Sequence, residues 1–329
     1  MNIFIGRRDF MRLSAGAALA TPLAARAEER SYRLVTFSSA GPVTADSPSG
    51  VVLLRELRQR GYTLGQNLSY DARSVNGQLD QLPQAVKDIA ATKPDVVLVG
   101  GYPAAVATKA AGLPTVVAQG TGDPVATHLV DSLAHPGGVV TGIADDAATL
   151  STKRLGLLKA SVPNLHKVAM LWNKNDLGMS LRYQASAKAA SDIGVSVQQL
   201  GIAEPDDFDD AFNAMNSDPP DAILMISDAL VILNRKRVFD YAAAHRLPAI
   251  YESDLYTHSG GLMSYGADAG EIFTRAASMV DRIFRGTKPG DVPFEQPTRY
   301  LFVINSKTAK AIGFTFPSTV LALADEVIE

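Results

Sequence analysis

The chain has 329 residues, with 31 Lys and Arg against 34 Asp and Glu, five His and no Cys. The length accommodates one large domain or two ordinary ones, and the lack of Cys excludes disulfides, thiolate metal sites, a Cys nucleophile and a lipid on an N-terminal Cys. A net charge of −3 lacks the basic excess of a nucleic-acid-binding surface, so we expect no nucleic-acid partner.

The N-terminus has the features of an export signal. Arg7 and Arg8 precede an uncharged stretch over residues 13–25, which is too short to span a bilayer. Ala25-Arg26-Ala27 supplies the small residues that a signal peptidase reads. The paired arginines indicate the twin-arginine route; the alternative is an amphipathic helix that begins a cytosolic protein. We predict a signal over residues 1–27, cleaved after Ala27, and a mature protein in the periplasm.

From residue 32 to residue 119, short apolar runs alternate with helical patterns. Apolar residues recur three positions apart in the helices, as in Val51, Leu54 and Leu57. The predicted elements of this series are the strands Tyr32–Phe37, Leu68–Ser74, Asp95–Gly100 and Thr115–Gln119, and the helices Val51–Arg60, Leu79–Thr92 and Tyr102–Ala111.

A second series follows a loop around residues 136–138. Its predicted elements are the helices Ala147–Ser161, Ser180–Ile193, Phe208–Met215 and Val231–His245, and the strands Lys167–Trp172, Val195–Leu200, Ala222–Ile226 and Pro248–Tyr251. The tail fits neither series simply. It contains the strands Gly260–Gly266 and Tyr300–Asn305, and the helices Glu271–Arg285 and Ser306–Ala311.

Alternating strands and helices predict right-handed βαβ units and parallel sheets. Two series predict two sheets, one ending near Gln119 and one near Tyr251. The fold class is therefore α/β, with two doubly wound lobes. A chain that crosses between the lobes more than once would use the elements of the tail.

Candidate ligand-binding residues follow the strands, because ligands of open α/β sheets bind beyond the carboxyl ends of the strands. These positions are rich in hydroxyls, carboxylates and glycine, and helices that begin there present free N–H groups to anions. The alternative is that the Ser, Asp and Asn side chains are only helix caps. The predicted ligand-binding residues are Ser38, Ser39, Gly101, Tyr102, Thr121, Asp123, Asn173, Ser227, Asp228, Asp254 and Tyr265.

Aromatic residues near strand ends either stack on a ligand or pack, since aromatic rings bury large areas. We assign Tyr102 and Tyr265 to the pocket and Trp172 to packing. Glu252 shares the segment of Asp254 after the strand Pro248–Tyr251.

No motif for catalysis is present. The histidines are not paired at four-residue spacing or set in a metal-binding frame, and G-x-S-x-G is absent. Gly120-Thr121-Gly122 is not followed by the Gly-Lys-Ser/Thr of a phosphate loop. We therefore predict no catalytic residue, metal or cofactor; a Ser-His-Asp triad assembled only in space stays open.

The chain resembles the substrate-binding proteins of ABC transporters, in the large bacterial family whose better-known relatives take up aromatic amino acids. The resemblance covers nearly the whole chain. Its most specific stretches are Lys93–Val97, Asp123–Val125, Leu133–Gly142, His245–Tyr251, Gly260–Gly266, Val303–Lys310 and Ala324–Ile328.

The resemblance implies the type I periplasmic-binding-protein fold, in which three crossing segments join two lobes that close over one small ligand. The crossings are expected near Gly142, near Gly261 and near Pro297–Tyr300. Lobe 1 would then comprise residues 31–142 and 262–298, and lobe 2 residues 143–261 and 299–329. The family usually has Ser or Thr at the position of Tyr102, so Tyr102 is expected to fill part of the pocket.

The implied function is capture of an amino acid or similar small molecule for an ABC permease in the inner membrane, by a protein that acts as a monomer. Two alternatives are a sensor, which would present the closed lobes to a membrane receptor, and an exported enzyme. A nucleophile–base pair in the cleft would distinguish the enzyme.

Overall fold

The computed structural model describes residues 30–144 and 147–329, so the predicted export signal over residues 1–27 lies outside the described residues. Residues 32–329 fold as one compact unit. Within it the strands form two sheets, one of five strands and one of seven. Each sheet with its helices is called a lobe below.

Lobe 1 is built mainly from the first part of the chain. Its strands are β1 (Tyr32–Ser38), β2 (Leu68–Ser74), β3 (Val96–Gly100), β4 (Thr115–Gln119) and β5 (Val140–Gly142). They pair in the order β2-β1-β3-β4-β5, and all the pairs are parallel. Its first helical segments are α1 (Pro48–Gln59), the 3₁₀ turn Leu79–Gln81, α2 (Leu82–Ala91) and α3 (Tyr102–Ala110).

Both faces of the lobe 1 sheet are covered, which explains why its strands are apolar throughout. Successive side chains of a strand point to opposite faces. Val96 and Leu98 of β3 belong to one apolar cluster, and Val97 and Val99 belong to the cluster on the other face. Parallel sheets with helices on both faces have continuous apolar strands for this reason.

Lobe 2 takes most of the second part of the chain. Its elements are α4 (Ala147–Ser161), β6 (Lys167–Asn173), α5 (Leu177–Asp192), β7 (Ser196–Ile202), α6 (Asp207–Ser217), β8 (Ala222–Met225), α7 (Ala229–His245), β9 (Ala249–Tyr251), α8 (Asp254–His258) and β10 (Met263–Ala267).

The chain then enters lobe 1 again and returns. Helix α9 (Ala269–Phe284) contributes Phe273 and Ala276 to the apolar cluster that also holds Leu53 of α1, and the 3₁₀ turn Pro289–Asp291 follows. The last elements are β11 (Tyr300–Asn305), α10 (Ser306–Ile312), α11 (Ser318–Leu321) and β12 (Glu326–Ile328), and the seven-stranded sheet has the order β12-β11-β10-β9-β8-β6-β7.

The described helices and strands confirm the two-lobed α/β fold, with one departure from parallel pairing. β11 is antiparallel to β10. β10 runs parallel to β9 and leaves the sheet for α9 in lobe 1. The chain comes back from lobe 1 to the same end of the sheet, so β11 must run in the opposite direction.

The position of β10 corrects the predicted lobe boundary. β10 is hydrogen-bonded in the seven-stranded sheet, whereas the prediction assigned residues 262–298 to lobe 1. The second crossing follows Ala267 instead of lying near Gly261. Gly261 is needed for packing, since a Cβ there would lie 2.6 Å from Cε2 of Tyr251.

The first and third crossing segments run side by side. The N–H of Ala144 donates to the carbonyl of Glu295 at 2.9 Å, and the N–H of Glu295 donates to the carbonyl of Gly142 at 3.0 Å. In the part of the chain that the structure describes, no helix is both long and apolar enough to cross a membrane.

Candidate functional site

A cavity of about 690 Å³ lies between the two sheets, at the carboxyl ends of their strands. Lobe 1 contributes the segments that follow β1 to β4, and lobe 2 contributes those that follow β6 to β9. The residue types needed to bind a ligand are thus brought together from two sheets, as expected for ligand sites of open α/β folds.

The lobe 1 wall presents hydroxyl and N–H groups. Ser38 and Ser39 are buried in this wall, and Ser38 Oγ accepts the N–H of Ala40 at 3.1 Å. Ser39 Oγ has no hydrogen-bond partner among the described residues. Next to it Gly101 begins α3 with a φ of +97°, and a Cβ at Gly101 would lie 3.1 Å from Ser39 Oγ.

Gly101 also leaves the first turn of α3 without a side-chain cap. The first N–H groups of a helix have no partner inside the helix, and they attract an anionic group. Pro103 has no N–H, and the N–H of Gly101 donates to the carbonyl of Gln119 at 2.9 Å. The N–H groups of Tyr102 and Ala104 remain in this turn and, together with Ser39 Oγ, can bind a carboxylate of a ligand.

The lobe 2 wall presents two carboxylates. Asp176 begins α5 and Asp228 begins α7, and their side chains accept the N–H groups of Met179 at 3.2 Å and Val231 at 2.9 Å. Both follow neighbouring strands, because β6 pairs with β8. Asn173 lies between them: its amide donates to Asp228 Oδ2 at 2.5 Å.

The two carboxylates make this wall electrostatically negative. Burial, and then the charge of Asp228, raise the pKa of Asp176 to about 6, although the N–H of Met179 and the charge of Arg182 act in the opposite sense. Burial also raises the pKa of Asp228, against the N–H of Val231 and the Asn173 amide. A ligand cation near these carboxylates would favour their ionised forms.

A buried ion network lies beside the two carboxylates. Glu252 Oε1 accepts from Arg154 Nη1 at 2.7 Å, and Glu252 Oε2 accepts from Arg182 Nη1 at 2.8 Å. The N–H of Ser227 donates to the same Oε2 at 2.9 Å. Burial opposes ionisation of Glu252, but the two arginines and this N–H outweigh it and lower its pKa. The network fixes the start of the segment that carries Asp228.

The network also reaches the second crossing segment. Arg154 Nε donates to the carbonyl of Tyr265 at 2.7 Å, three residues before Asp268 caps α9. Arg154 is 2% exposed, so this contact joins α4, just after the first crossing, to β10, just before the second.

Aliphatic side chains cover the remainder of the cavity. They come from both lobes and include Leu79, Leu150, Leu230, Leu233 and Ile272. Tyr256 also lines the cavity. It is fully buried, and its hydroxyl, like Ser227 Oγ, makes no hydrogen bond of normal geometry within the described chain. The cavity can therefore hold a ligand with polar ends and an apolar body.

The lobes touch on two sides of the cavity. A Cβ on Gly178 of α5 would lie 2.8 Å from the carbonyl oxygen of Thr121 in lobe 1, and a Cβ on Gly122 would lie 2.9 Å from the carbonyl oxygen of Gly178. Elsewhere, a Cβ on Gly77 would lie 2.8 Å from Cδ1 of Leu233 on α7. The absence of side chains at these glycines allows the backbones to approach this closely.

The structure brings together part of the predicted site. The residues that line the cavity are Ser38, Ser39, Gly101, Asn173, Ser227 and Asp228. The predicted residues outside its lining are Tyr102, Thr121, Asp123, Asp254 and Tyr265.

The outlying residues have other contacts within the protein. Asp123 Oδ1 accepts the N–H groups of the turn at Val125 and Ala126, at 2.9 and 3.0 Å. Asp254 is the first residue of α8, whose N-cap is Ser253, and its side chain also accepts the N–H of Leu255, at 2.9 Å. Both side chains bind backbone N–H groups of their own turn, which is close to the capping role that the sequence analysis kept as an alternative.

The two aromatic residues assigned to the pocket also have other contacts. The hydroxyl of Tyr102 donates to the carbonyl of Thr127 at 3.4 Å, and Tyr102 is outside the cavity lining. The ring of Tyr265 stacks on that of Tyr300 at a centroid distance of 6.1 Å. Trp172 packs as predicted, with its ring stacked on that of Tyr183 at 3.7 Å.

Sequence reasoning missed Asp176, Arg154 and Arg182 as cavity residues, and it placed Glu252 after a strand without including it in the predicted site. Asp176 could have been found, because it stands three residues after β6 and begins a helix. Arg154 and Arg182 lie inside helices, at positions that carry no strand-end signal, and only the packing of α4 and α5 turns them inward.

A model of the family described as ABC transporter substrate binding protein matches residues 43–328. A tyrosine-binding protein of Clostridioides difficile is 23% identical over 261 residues, which cover 79% of this chain and 74% of the relative. Two solved structures share the fold: a conserved domain protein from Vibrio cholerae, with a TM-score of 0.83, and an ABC domain in complex with L-Trp from Streptococcus pneumoniae, with a TM-score of 0.81.

Each of these two structures is 24% identical to this chain and covers 91% of it, and each is matched over its full length. They and this chain share the type I periplasmic-binding-protein fold, in which two α/β lobes enclose a cleft. With the family match over most of the sequence, the chain belongs to the ABC transporter substrate binding protein family.

Proposed function

We propose that this protein is the solute-binding component of an ABC importer and captures a zwitterionic, amino-acid-like ligand between its lobes. One observation carries this proposal: the lobe 1 wall holds the Ser39 hydroxyl and the start of α3, and the lobe 2 wall holds the carboxylates of Asp176 and Asp228. A molecule that carries both a carboxylate and an ammonium, as an α-amino acid does on one carbon, can contact both walls at once.

The ligand carboxylate would bind at Ser39 Oγ and the first turn of α3 at Gly101. The ligand ammonium would bind at Asp228, on the opposite wall. This orientation satisfies the buried Ser39 hydroxyl, which lacks a partner among the described residues, and a buried polar group left without a hydrogen bond costs about 1–3 kcal/mol.

The cavity size and the relatives support an amino acid with a large side chain. About 690 Å³ lies within the range of sites for small organic molecules, and the aliphatic lining would cover the ligand's side chain. One relative is named a tyrosine-binding protein and a solved structure of the same fold is in complex with L-Trp.

Capture would proceed by closure of the two lobes about the three crossing segments. A ligand favours closure only if it binds the closed form more tightly than the open form. A zwitterion that contacts Ser39 in one lobe and Asp228 in the other does so, because it completes both sets of contacts only when the walls face each other.

Delivery requires a permease, and we propose that the closed form docks on an inner-membrane ABC permease. We further propose that the protein reaches the periplasm by the signal over residues 1–27 and acts there as a monomer. Cell fractionation of the wild type and of the variant R7K/R8K tests the route, since loss of the paired arginines should leave the precursor in the cytoplasm.

A thermal-shift screen of amino acids, purines and small acids tests the binding function, because a ligand of the folded state raises its stability by mass action. Each positive compound is then titrated by calorimetry into wild type, Asp228→Asn and Asp123→Asn. Asn preserves the cap in both variants. We expect Asp228→Asn to weaken binding by at least about tenfold and Asp123→Asn, which is outside the cavity, to bind like wild type.

A screen without any positive compound would contradict the proposal. Equal affinities of wild type and Asp228→Asn would remove Asp228 from the site.

A further inference from the structure

We infer that Asp176 and Asp228 act together as one two-carboxylate site for the cationic group of the ligand, so that compounds without a basic nitrogen bind much more weakly. This inference rests on the proposed function and adds to it a second acidic residue and a chemical requirement on the ligand.

The fold places the two carboxylates at the same edge of the lobe 2 sheet. β6 and β8 are paired neighbours, and Asp176 and Asp228 follow them directly and line the same cavity. Asn173 holds both segments: its carbonyl accepts the N–H of Asp176 at 3.2 Å, and its side-chain amide donates to Asp228 Oδ2 at 2.5 Å.

A separate observation indicates that a ligand group belongs here. Tyr256 and Ser227 line the cavity, and their buried hydroxyls lie next to each other and close to Asp228; neither makes a hydrogen bond of normal geometry within the described chain. Buried hydroxyls are normally satisfied by protein, water or ligand. A ligand ammonium, with three donors, can reach a carboxylate and a hydroxyl at the same time.

The charged groups that act on Asp176 leave the pair negative. Asp228 repels it from β8, and Arg182 attracts it from α5, but Arg182 is already bound to Glu252. Tyr102 faces Asp176 from lobe 1, and burial followed by the charge of Asp176 raises the pKa of its phenol. Tyr102 is therefore uncharged at neutral pH and supplies no positive charge.

Binding of a cation between the carboxylates should depend on pH. Asp176 must be ionised to hold the cation, and its pKa in the free protein is raised to about 6. At pH 7.5 it is almost fully ionised, whereas at pH 5.0 most molecules carry a proton there. The affinity for a cation is expected to fall by about tenfold between these pH values.

The test uses L-tryptophan and L-tyrosine as probes, with indole-3-propionate as the analogue of L-tryptophan that lacks the ammonium. Each is titrated by calorimetry at pH 7.5 and pH 5.0 into wild type, Asp176→Asn and Asp192→Asn. Asn keeps the α5 cap but removes the charge. Asp192 lies on the same helix, exposed and paired with Lys188, so its variant controls for the loss of one charge.

In wild type and Asp192→Asn we expect the amino acids to bind more tightly at pH 7.5 than at pH 5.0, and indole-3-propionate to bind at least about tenfold more weakly than L-tryptophan at pH 7.5. In Asp176→Asn we expect amino-acid binding at pH 7.5 to weaken by about tenfold to a hundredfold and the dependence on pH to become smaller, with the part that belongs to Asp228 remaining. A residue that only caps α5 would not change the pH profile.

Two results would overturn the inference and leave the proposed function standing: equal binding of L-tryptophan and indole-3-propionate, or unchanged affinity and pH dependence in Asp176→Asn. If neither amino acid binds, the ligand retained through purification is identified by mass spectrometry. A retained small molecule without a basic nitrogen overturns the inference alone. The absence of any binder overturns the inference together with the proposed function.

Discussion

Gly178→Ala should weaken ligand binding without destabilising the ligand-free protein. The new Cβ would lie 2.8 Å from the carbonyl oxygen of Thr121 and 3.3 Å from its carbonyl carbon, across the contact between the lobes. Carbon atoms in good contact are separated by about 3.5–4.0 Å. The lobes must therefore separate by about half an ångström, or the closed form must absorb the overlap.

The magnitude follows from the cost of overpacking, which is about 1–3 kcal/mol. Since about 1.4 kcal/mol corresponds to a tenfold change in affinity, the dissociation constant should rise by about 5- to 150-fold. The capture mechanism proposed above starts from an open, ligand-free form, in which the two lobes are apart and the overlap is absent. Gly178 is not one of the glycines with positive φ, and Ala is favoured over Gly inside a helix by up to about 1 kcal/mol.

The assay pairs calorimetric titration with chemical denaturation of the ligand-free protein. Gly156→Ala is the matched control, since Gly156 also lies in a helix and a Cβ there would meet nothing within 4 Å. Both variants should be at least as stable as wild type, and only Gly178→Ala should bind weakly. If Gly178→Ala bound the ligand within about twofold of the wild-type affinity, the argument from the contact between Gly178 and Thr121 would be refuted.

Small-angle scattering separates a defect in closure from a local effect. The Cβ on Gly178 would also lie 3.3 Å from Asp176 Oδ1, a contact that a small movement of that side chain relieves. If closure is blocked, the ligand-saturated variant should keep a larger radius of gyration than ligand-saturated wild type. Equal radii would assign the loss of affinity to Asp176 instead.

Two further predictions concern stability. Glu252→Gln should lower the free energy of unfolding by about 3–5 kcal/mol, because Arg154 and Arg182 would keep buried charges without their shared carboxylate. Urea denaturation measures this free energy, and a loss below about 1 kcal/mol would contradict a structural role for the network. Asp176→Asn should stabilise the ligand-free protein at pH 7.5 by about 3 kcal/mol and leave its stability unchanged near pH 3. The reason is that folding raises the pKa of Asp176 from 3.8 to about 6, so the wild type loses stability as the pH rises through this range, and the variant does not. Denaturation curves at the two pH values check this sign, and equal stability at pH 7.5 would mean that the carboxylate is not destabilised in the folded state.

Most of the fold could be predicted from the sequence, because the period of apolar residues reports local structure directly. The strand Leu68–Ser74 and the strand Tyr300–Asn305 have the predicted bounds. The elements that were missed are short: β5, α8, α11 and β12. Segments of three to five residues contain too few positions for a period to be recognised.

The candidate site could be predicted only where a residue's role follows from its place in the sequence. Ser38, Asn173 and Asp228 follow strands, and the carboxyl ends of parallel strands meet at one edge of a sheet. Asp123 and Asp254 have the same sequence signal but bind backbone N–H groups of their own turns, since such local bonds and ligand binding favour the same side chains. Local sequence cannot separate these two roles.

The sequence by itself determined the two-series α/β organisation, the absence of cysteine chemistry and the expectation of a site at the strand ends. The tertiary structure alone decided that β10 joins the lobe 2 sheet, that Arg154 and Arg182 meet Glu252 in the cavity wall, and that Gly122 and Gly178 touch across the cleft. The reason is physical: periodicity and capping depend on neighbours within a few residues, whereas these contacts join segments far apart in the chain, whose separation only packing sets.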